Sequence, residues 1–140
     1  MQVGGGLAAC KAKIQSFVSL STFEAEHGAL SSCLVVILWI HMMLKEIGVE
    51  FETPTMVHVD NQGTVKSANQ DDFKLRNKTV GVKFHHVQEQ VREKVIKVVH
   101  VATQNNPADL FTKPLSGKLF ETFVAIVMGH KSHKELLDQE

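Results

Sequence analysis

Thr55-Met56-Val57-His58-Val59-Asp60-Asn61-Gln62 is the stretch from which the rest of the chain can be read. Met56, Val57 and Val59 supply strand character and Pro54 marks the preceding turn. The stretch therefore reads as a buried strand that delivers a carboxylate where the next helix starts. In an open α/β sheet, chemistry gathers beyond the carboxyl ends of the strands. A lone aspartate there has a plainer role, capping the helix that follows. What singles out Asp60 is its company, Glu26 upstream and Asp109 downstream.

Upstream, Ser21-Thr22-Phe23-Glu24 fits a capping box, with Ser21 as N-cap and Glu24 three residues on. The helix that follows is expected to run to about Ile47 and to end with Gly48 at C′. Leu30, Cys33, Leu34, Ile37 and Leu44 form its expected core stripe. Glu26 lies one turn before Leu30, which places it on the face that packs against the sheet. An acid there is costly unless paired or bound to a metal, so Glu26 is the functional candidate and Glu24 belongs to the cap. Before this helix, Gly4-Gly5-Gly6 reads as a flexible opening without dinucleotide-loop spacing, and Phe17-Val18-Ser19-Leu20 as a strand.

Downstream, Gly48 to Pro54 is a connector and Asn61 to Ala68 a short helix. Asn69 to Asn77 is loop-like, Val80 to Glu93 has helical periodicity (Val80, Phe84, Val87, Val91), and Val95 to Val101 is a strand. His85 and His86 point about 100° apart on a helix, which argues against a shared metal. Asn106 caps a further helix with Pro107 at N1, and Asp109 falls in the first turn, where the helix dipole favours negative charge. Leu119 to Met128 is a final amphipathic helix; residues 1–128 read as one domain and 129–140 as a tail, frayed from Lys131, whose His130 and His133 are too isolated to suggest a metal.

The 140 residues suit one domain, and 15 basic against 15 acidic side chains give no global field toward nucleic acid or membrane. The charge is uneven, however. Lys74, Arg76, Lys78, Lys83, Arg92, Lys94 and Lys97 face only Glu89 and Glu93 over that span, a strip suited to phosphates or simply a solvated helix face. Cys10 and Cys33 match no zinc or redox spacing and read as free thiols in a reducing compartment. The opening residues lack the pattern of a signal peptide. The longest apolar run, Cys33 to Ile40, is far shorter than the roughly 20 residues of a membrane span, so it reads as a core helix.

Three segments together carry a resemblance: Ser19 to Glu26 (S-L-S-T-F-E-A-E), Val59 to Gln62 (V-D-N-Q) and Ala108 to Leu115 (A-D-L-F-T-K-P-L). In order and spacing they resemble the ribonuclease H domain that ends the Pol polyprotein of copia-type retrotransposons. Arg76-x-Lys78 and Lys83-Phe84-His85-x-Val87-x-Glu89 are similar to the family's intervening segments, and the likeness runs from about Gly5 to Phe120. The resemblance implies an α/β fold of the ribonuclease H type, a mixed five-stranded sheet flanked by helices. It implies magnesium-dependent hydrolysis of the RNA strand of an RNA/DNA hybrid during reverse transcription. In such enzymes four carboxylates hold two Mg2+ ions, one activating the attacking water and the other stabilising the leaving oxygen. Hard Mg2+ requires oxygen ligands. Carried over by motif, Glu26, Asp60 and Asp109 are the catalytic and metal-binding residues, and Lys74, Arg76, Lys78 and Lys83 the nucleic-acid contacts. The implied partners are the hybrid, read by its minor groove and 2′-hydroxyls, and the reverse transcriptase of the parent polyprotein, in the cytoplasm or nucleus.

The departures shape the expectation as much as the matches. The family's first metal-binding aspartate lies on the first strand, and no Asp or Glu occurs here before Phe23. The fold is thus expected to lack the first strand and most of the second. Unpaired buried backbone groups cost about 1–3 kcal/mol each, against roughly 5–15 kcal/mol for a whole domain. The family's K-H-I-D is Lys78-Thr79-Val80-Gly81 here, and polar mid-helix positions are apolar in Val35-Val36-Ile37, which reads as drift. The expectation is a remnant that is inactive alone, with magnesium binding weak or lost. Two alternatives stand beside it. One is a non-catalytic nucleic-acid-binding remnant using residues 74–97, with steep salt dependence and indifference to Asp60→Asn. The other is an interaction module without catalysis.

Overall fold

The computed structural model describes residues 2–3, 6–10, 22–70 and 78–133. In chain order they form β1 (Gln2–Val3), β2 (Gly6–Leu7), α1 (Thr22–Glu46), β3 (Thr55–Val59), α2 (Gln62–Asn69), α3 (Lys78–Arg92), β4 (Ile96–His100), two short 310 helices (Thr103–Asn105 and Pro107–Phe111) and α4 (Gly117–Val127). The chain divides into two units, one of Gln15–His100 and the other of Met1–Ile14 with Val101–Glu140. The architecture is mixed α/β. Among the described residues the sheets are two pairs, β1 with β2 antiparallel and β3 with β4 parallel.

In the Gln15–His100 unit, β3 and β4 run side by side with Val57 opposite Val98 and Val59 opposite His100. The chain between them must cross over to bring parallel strands together, and α2 and α3 occupy that crossover. The pleat divides the side chains: Val57 and Val59 are buried, while Met56 is exposed and His58 half-buried. The stretch expected as a buried strand is therefore buried on one face. Val57, Val59, Ile96 and Val98 are buried strand positions, and Leu30, Leu34, Ile37, Ile40, Ala68, Phe84 and Val87 are buried helix positions. Each large apolar side chain so covered contributes roughly 1.5–3 kcal/mol.

Helix α1 buries His27, Leu30, Ser31, Leu34, Ile37 and Ile40, spacings of three or four residues that keep to one face. Cys33 and Leu44, expected in that stripe, are only half-buried, and Ile40 takes a core position that sequence reading left out. The opposite face carries Val35, Trp39, Met42 and Met43 in exposed positions. With 25 residues and a mean hydropathy of 1.7 in its most apolar window, α1 is long and apolar enough to cross a membrane by length and composition. The expected core helix is thus apolar on both faces and buried on one.

The end of α1 follows expectation closely. Gly48 adopts φ +83°, its N–H donates to the Lys45 carbonyl at 3.0 Å, and the Val49 N–H reaches Leu44 at 3.0 Å. This is a Schellman closure, for which glycine is suited because it has no Cβ to clash. Helix α3 ends in the same way on a lysine. Lys94 has φ 58°, with N–H bonds from Lys94 to Val91 at 3.1 Å and from Val95 to Gln90 at 3.0 Å. The turn feeds directly into β4.

The second unit contains β1, β2, both 310 helices and α4. Gln2 pairs with Leu7 and Val3 with Gly6, so the opening expected to be flexible contributes a short antiparallel pair. Phe123, Ile126 and Val127 are the buried positions of α4, which closes on Gly129 at φ +78° with the His130 N–H on the Ala125 carbonyl at 2.8 Å. Beyond it, a ring nitrogen of His133 hydrogen-bonds the Asn105 carbonyl at 2.9 Å. The expected frayed tail is therefore tied down as far as His133. The Phe17–Leu20 strand, the Ser21 cap and residues 134–140 lie outside the described residues.

Candidate functional site

Asp60 follows the last residue of β3, at the carboxyl end of the parallel pair. The helix behind it is capped by its neighbour: the Asn61 side chain accepts the Thr64 N–H at 3.0 Å. The capping role open to Asp60 from sequence belongs to Asn61. Among the described residues the half-buried Asp60 carboxylate has no hydrogen-bond or ion-pair partner, which leaves its oxygens available to a ligand.

Glu26 is half-buried, and the α1 position turned into the core at that level is the next residue, His27. His27 is 2% exposed, with Phe23 and Phe84 rings at centroid distances of 4.6 and 5.0 Å. One ring nitrogen, Nε2, lies 2.6 Å from Ser67 Oγ. The single Ser67 hydroxyl proton goes to the Thr64 carbonyl at 2.9 Å, so Nε2 must carry the shared proton and Nδ1 is bare. Nδ1 is buried without a partner among the described residues. A second proton there would be a buried charge, and burial pushes the His27 pKa down from 6.5 to about 4. Gln88 completes the polar junction, its Nε2 donating to the carbonyls of Ser67, at 3.1 Å, and Gln70. His27 shares its buried face with Leu30, Ser31 and Leu34, at spacings of three, four and seven residues.

Asp109 sits in the 310 helix Pro107–Phe111, with Pro107 at the start and Asn106 accepting the Ala108 N–H at 3.2 Å. The cap and the proline are as expected; the helix is a tight five-residue turn rather than the start of a long one. The Asp109 side chain is 10% exposed, and the Lys113 ammonium donates to its Oδ2 at 2.8 Å. A carboxylate so enclosed is stable only when paired, and Lys113 supplies the pairing.

Among the described residues, no group of three or more His, Cys, Asp and Glu side chains could hold a metal ion. As donors taken singly, Asp60 suits a hard divalent cation, whereas Asp109 is already neutralised by an ammonium. Lys74 and Arg76 lie outside the described residues, as does the side chain of Lys78; Lys83 is on an exposed position of α3. His85 and His86 lie on the outer side of α3, the latter 3.6 Å from Glu89. Both cysteines are free, Cys10 exposed and Cys33 half-buried, and burial pushes the Cys33 thiol pKa up.

Against known proteins, most of the chain is similar to retrovirus-related Pol polyproteins from plant transposons. It is 30% identical over 128 residues, 91% of its length, to the Pol polyprotein from transposon TNT 1-94 of Nicotiana tabacum. It is 32% identical over 113 residues, 81% of the chain, to that of transposon RE1 of Arabidopsis thaliana. The RE2 polyprotein of the same plant is also 32% identical, over 111 residues and 79% of the chain. These matches span only 10%, 8% and 8% of the respective polyproteins. No family model matches, and no solved structure matches.

Proposed function

We propose that the chain represents the ribonuclease H region of a retrotransposon Pol polyprotein and that, as 140 residues alone, it does not cleave an RNA/DNA hybrid. The observation that carries the reading is the similarity to three retrovirus-related Pol polyproteins over 79–91% of the chain. The 128 residues matched to the TNT 1-94 polyprotein include all three acidic segments. Asp60 supports it further: a carboxylate released from capping, at the carboxyl end of a parallel strand, is where such chemistry is expected in an α/β sheet. When bound, divalent metal would supply an activated water and a stabilised leaving oxygen. This chain offers Asp60 as the most available ligand and Glu26 as a half-buried second. The expected inactivity rests on the engagement of Asp109 by Lys113.

The test is a magnesium titration followed by amide NMR, together with an assay on an RNA/DNA hybrid. The expected outcome is a dispersed spectrum, shifts at Asp60, and no cleavage above buffer. Cleavage abolished by Asp60→Asn would overturn inactivity while confirming the enzyme family. A chain indifferent to both magnesium and hybrid would sink the ribonuclease H reading and leave an interaction module.

A further inference from the structure

The Lys113 ammonium lies 2.8 Å from Asp109 Oδ2 on a carboxylate only 10% exposed, while Lys113 itself is 48% exposed. The lysine thus reaches in from the solvent side and covers the acid. The backbone fixes the pairing: Thr112 and Lys113 both donate their N–H groups to the Asp109 carbonyl, at 3.1 and 2.9 Å. That turn brings residue 113 back over residue 109. A divalent ion approaching Oδ2 meets a fixed positive charge at contact distance, and like charges that close repel strongly outside bulk water.

We propose that Lys113 is an internal counter-cation that keeps divalent metal off Asp109, so that Asp109 accepts a metal only when the lysine is displaced. This rests on the reading of Asp60 and Asp109 as metal ligands. It adds that the two acids differ, Asp60 being open and Asp109 blocked.

The experiment is paramagnetic broadening by Mn2+ of the 15N-labelled 140-residue chain, wild type against Lys113→Met and Lys113→Arg. At the Mn2+ concentration that halves the Asp60 amide signal, the wild type and Lys113→Arg are expected to keep the Asp109 and Leu110 signals. Lys113→Met should lose at least half of them, and adding Asp109→Asn to it should restore them. Lys113→Gln takes the place of Lys113→Met if the latter does not fold, since it removes the charge while keeping a polar side chain. Wild-type broadening at Asp109 together with Asp60 would overturn the inference and leave the metal-ligand reading standing. So would Asp60 broadening in every variant with Asp109 never affected, in which case only Asp60 remains a ligand. Absence of broadening at both acids in every variant would overturn the inference and the metal-ligand reading together.

Discussion

His27 and Asp109 are both polar side chains enclosed by the protein, one in each unit, and they are kept stable by opposite means. His27 remains uncharged: its one proton is shared with Ser67, and its other nitrogen is buried without a hydrogen-bond partner among the described residues. Asp109 is held against an ammonium that balances its charge. The first solution works only while a proton is kept away, and the second only while the partner is present. The comparison separates packing from chemistry. A buried group kept neutral belongs to the interior, whereas a buried carboxylate held by a half-exposed lysine keeps a route by which another cation could replace that partner.

Acid gives the largest expected effect. Burial lowers the His27 pKa from 6.5 to about 4, so between those values the unfolded chain binds a proton that the folded chain refuses. The stability contributed by neutral His27 is fully present above about pH 6.5 and is lost as pH falls toward 4. By pH 5 the loss should reach about 2 kcal/mol. His27→Phe keeps a ring in the pocket and removes the titrating nitrogen. Urea unfolding of the two proteins at pH 7 and pH 5 should show the variant gaining about that amount relative to wild type. A parallel decline of both proteins would mean that His27 is protonated in the folded chain, and the contrast with Asp109 would fail.

The second effect lies on the other side of the comparison. Lys113→Met strands the Asp109 charge and should cost about 1–2 kcal/mol, toward the low end for a buried ionic group because the lysine is half exposed. Converting Asp109→Asn in the same chain should recover most of that loss, because no charge is then left unpaired. Thermal unfolding of the single and double variants forms the cycle. Additive losses would show that the two side chains do not interact.

Much of the fold was legible because local chemistry decided it. Gly48 announced the end of α1, Pro107 and Asn106 the start of the 310 turn, and the alternation of Val57 and Val59 the strand. Reading failed where one residue competed with its neighbour. Glu26 and His27 differ by about 100° of helix rotation, and an apolar stripe that admits either cannot say which is inside. Asp60 and Asn61 are both good caps, and sequence cannot say which side chain turns back onto the Thr64 N–H. The same blindness concealed the outer face of α1, since Val35, Trp39, Met42 and Met43 look like core residues in any list of hydrophobic positions. Lys113 stood within the quoted motif, but its role depends on a tight turn that the motif does not specify.

The smallest expected effect on stability is the one most informative about function, and it comes from that adjacent pair. Asn61→Ala removes the bond to the Thr64 N–H and should cost about 1 kcal/mol, as the loss of an N-cap does. Asp60→Asn removes no partner among the described residues and should change stability by less than about 0.5 kcal/mol. A carboxylate contributing nothing to stability, next to an amide that does, is placed where a ligand can use it. Chemical denaturation of the two variants in EDTA and again with millimolar magnesium separates the cases. Asp60→Asn should match wild type in EDTA and lose any stabilisation that magnesium gives wild type, whereas Asn61→Ala should fall equally in both. If Asp60→Asn is the more damaging substitution in EDTA, Asp60 is part of the helix start and not an open ligand.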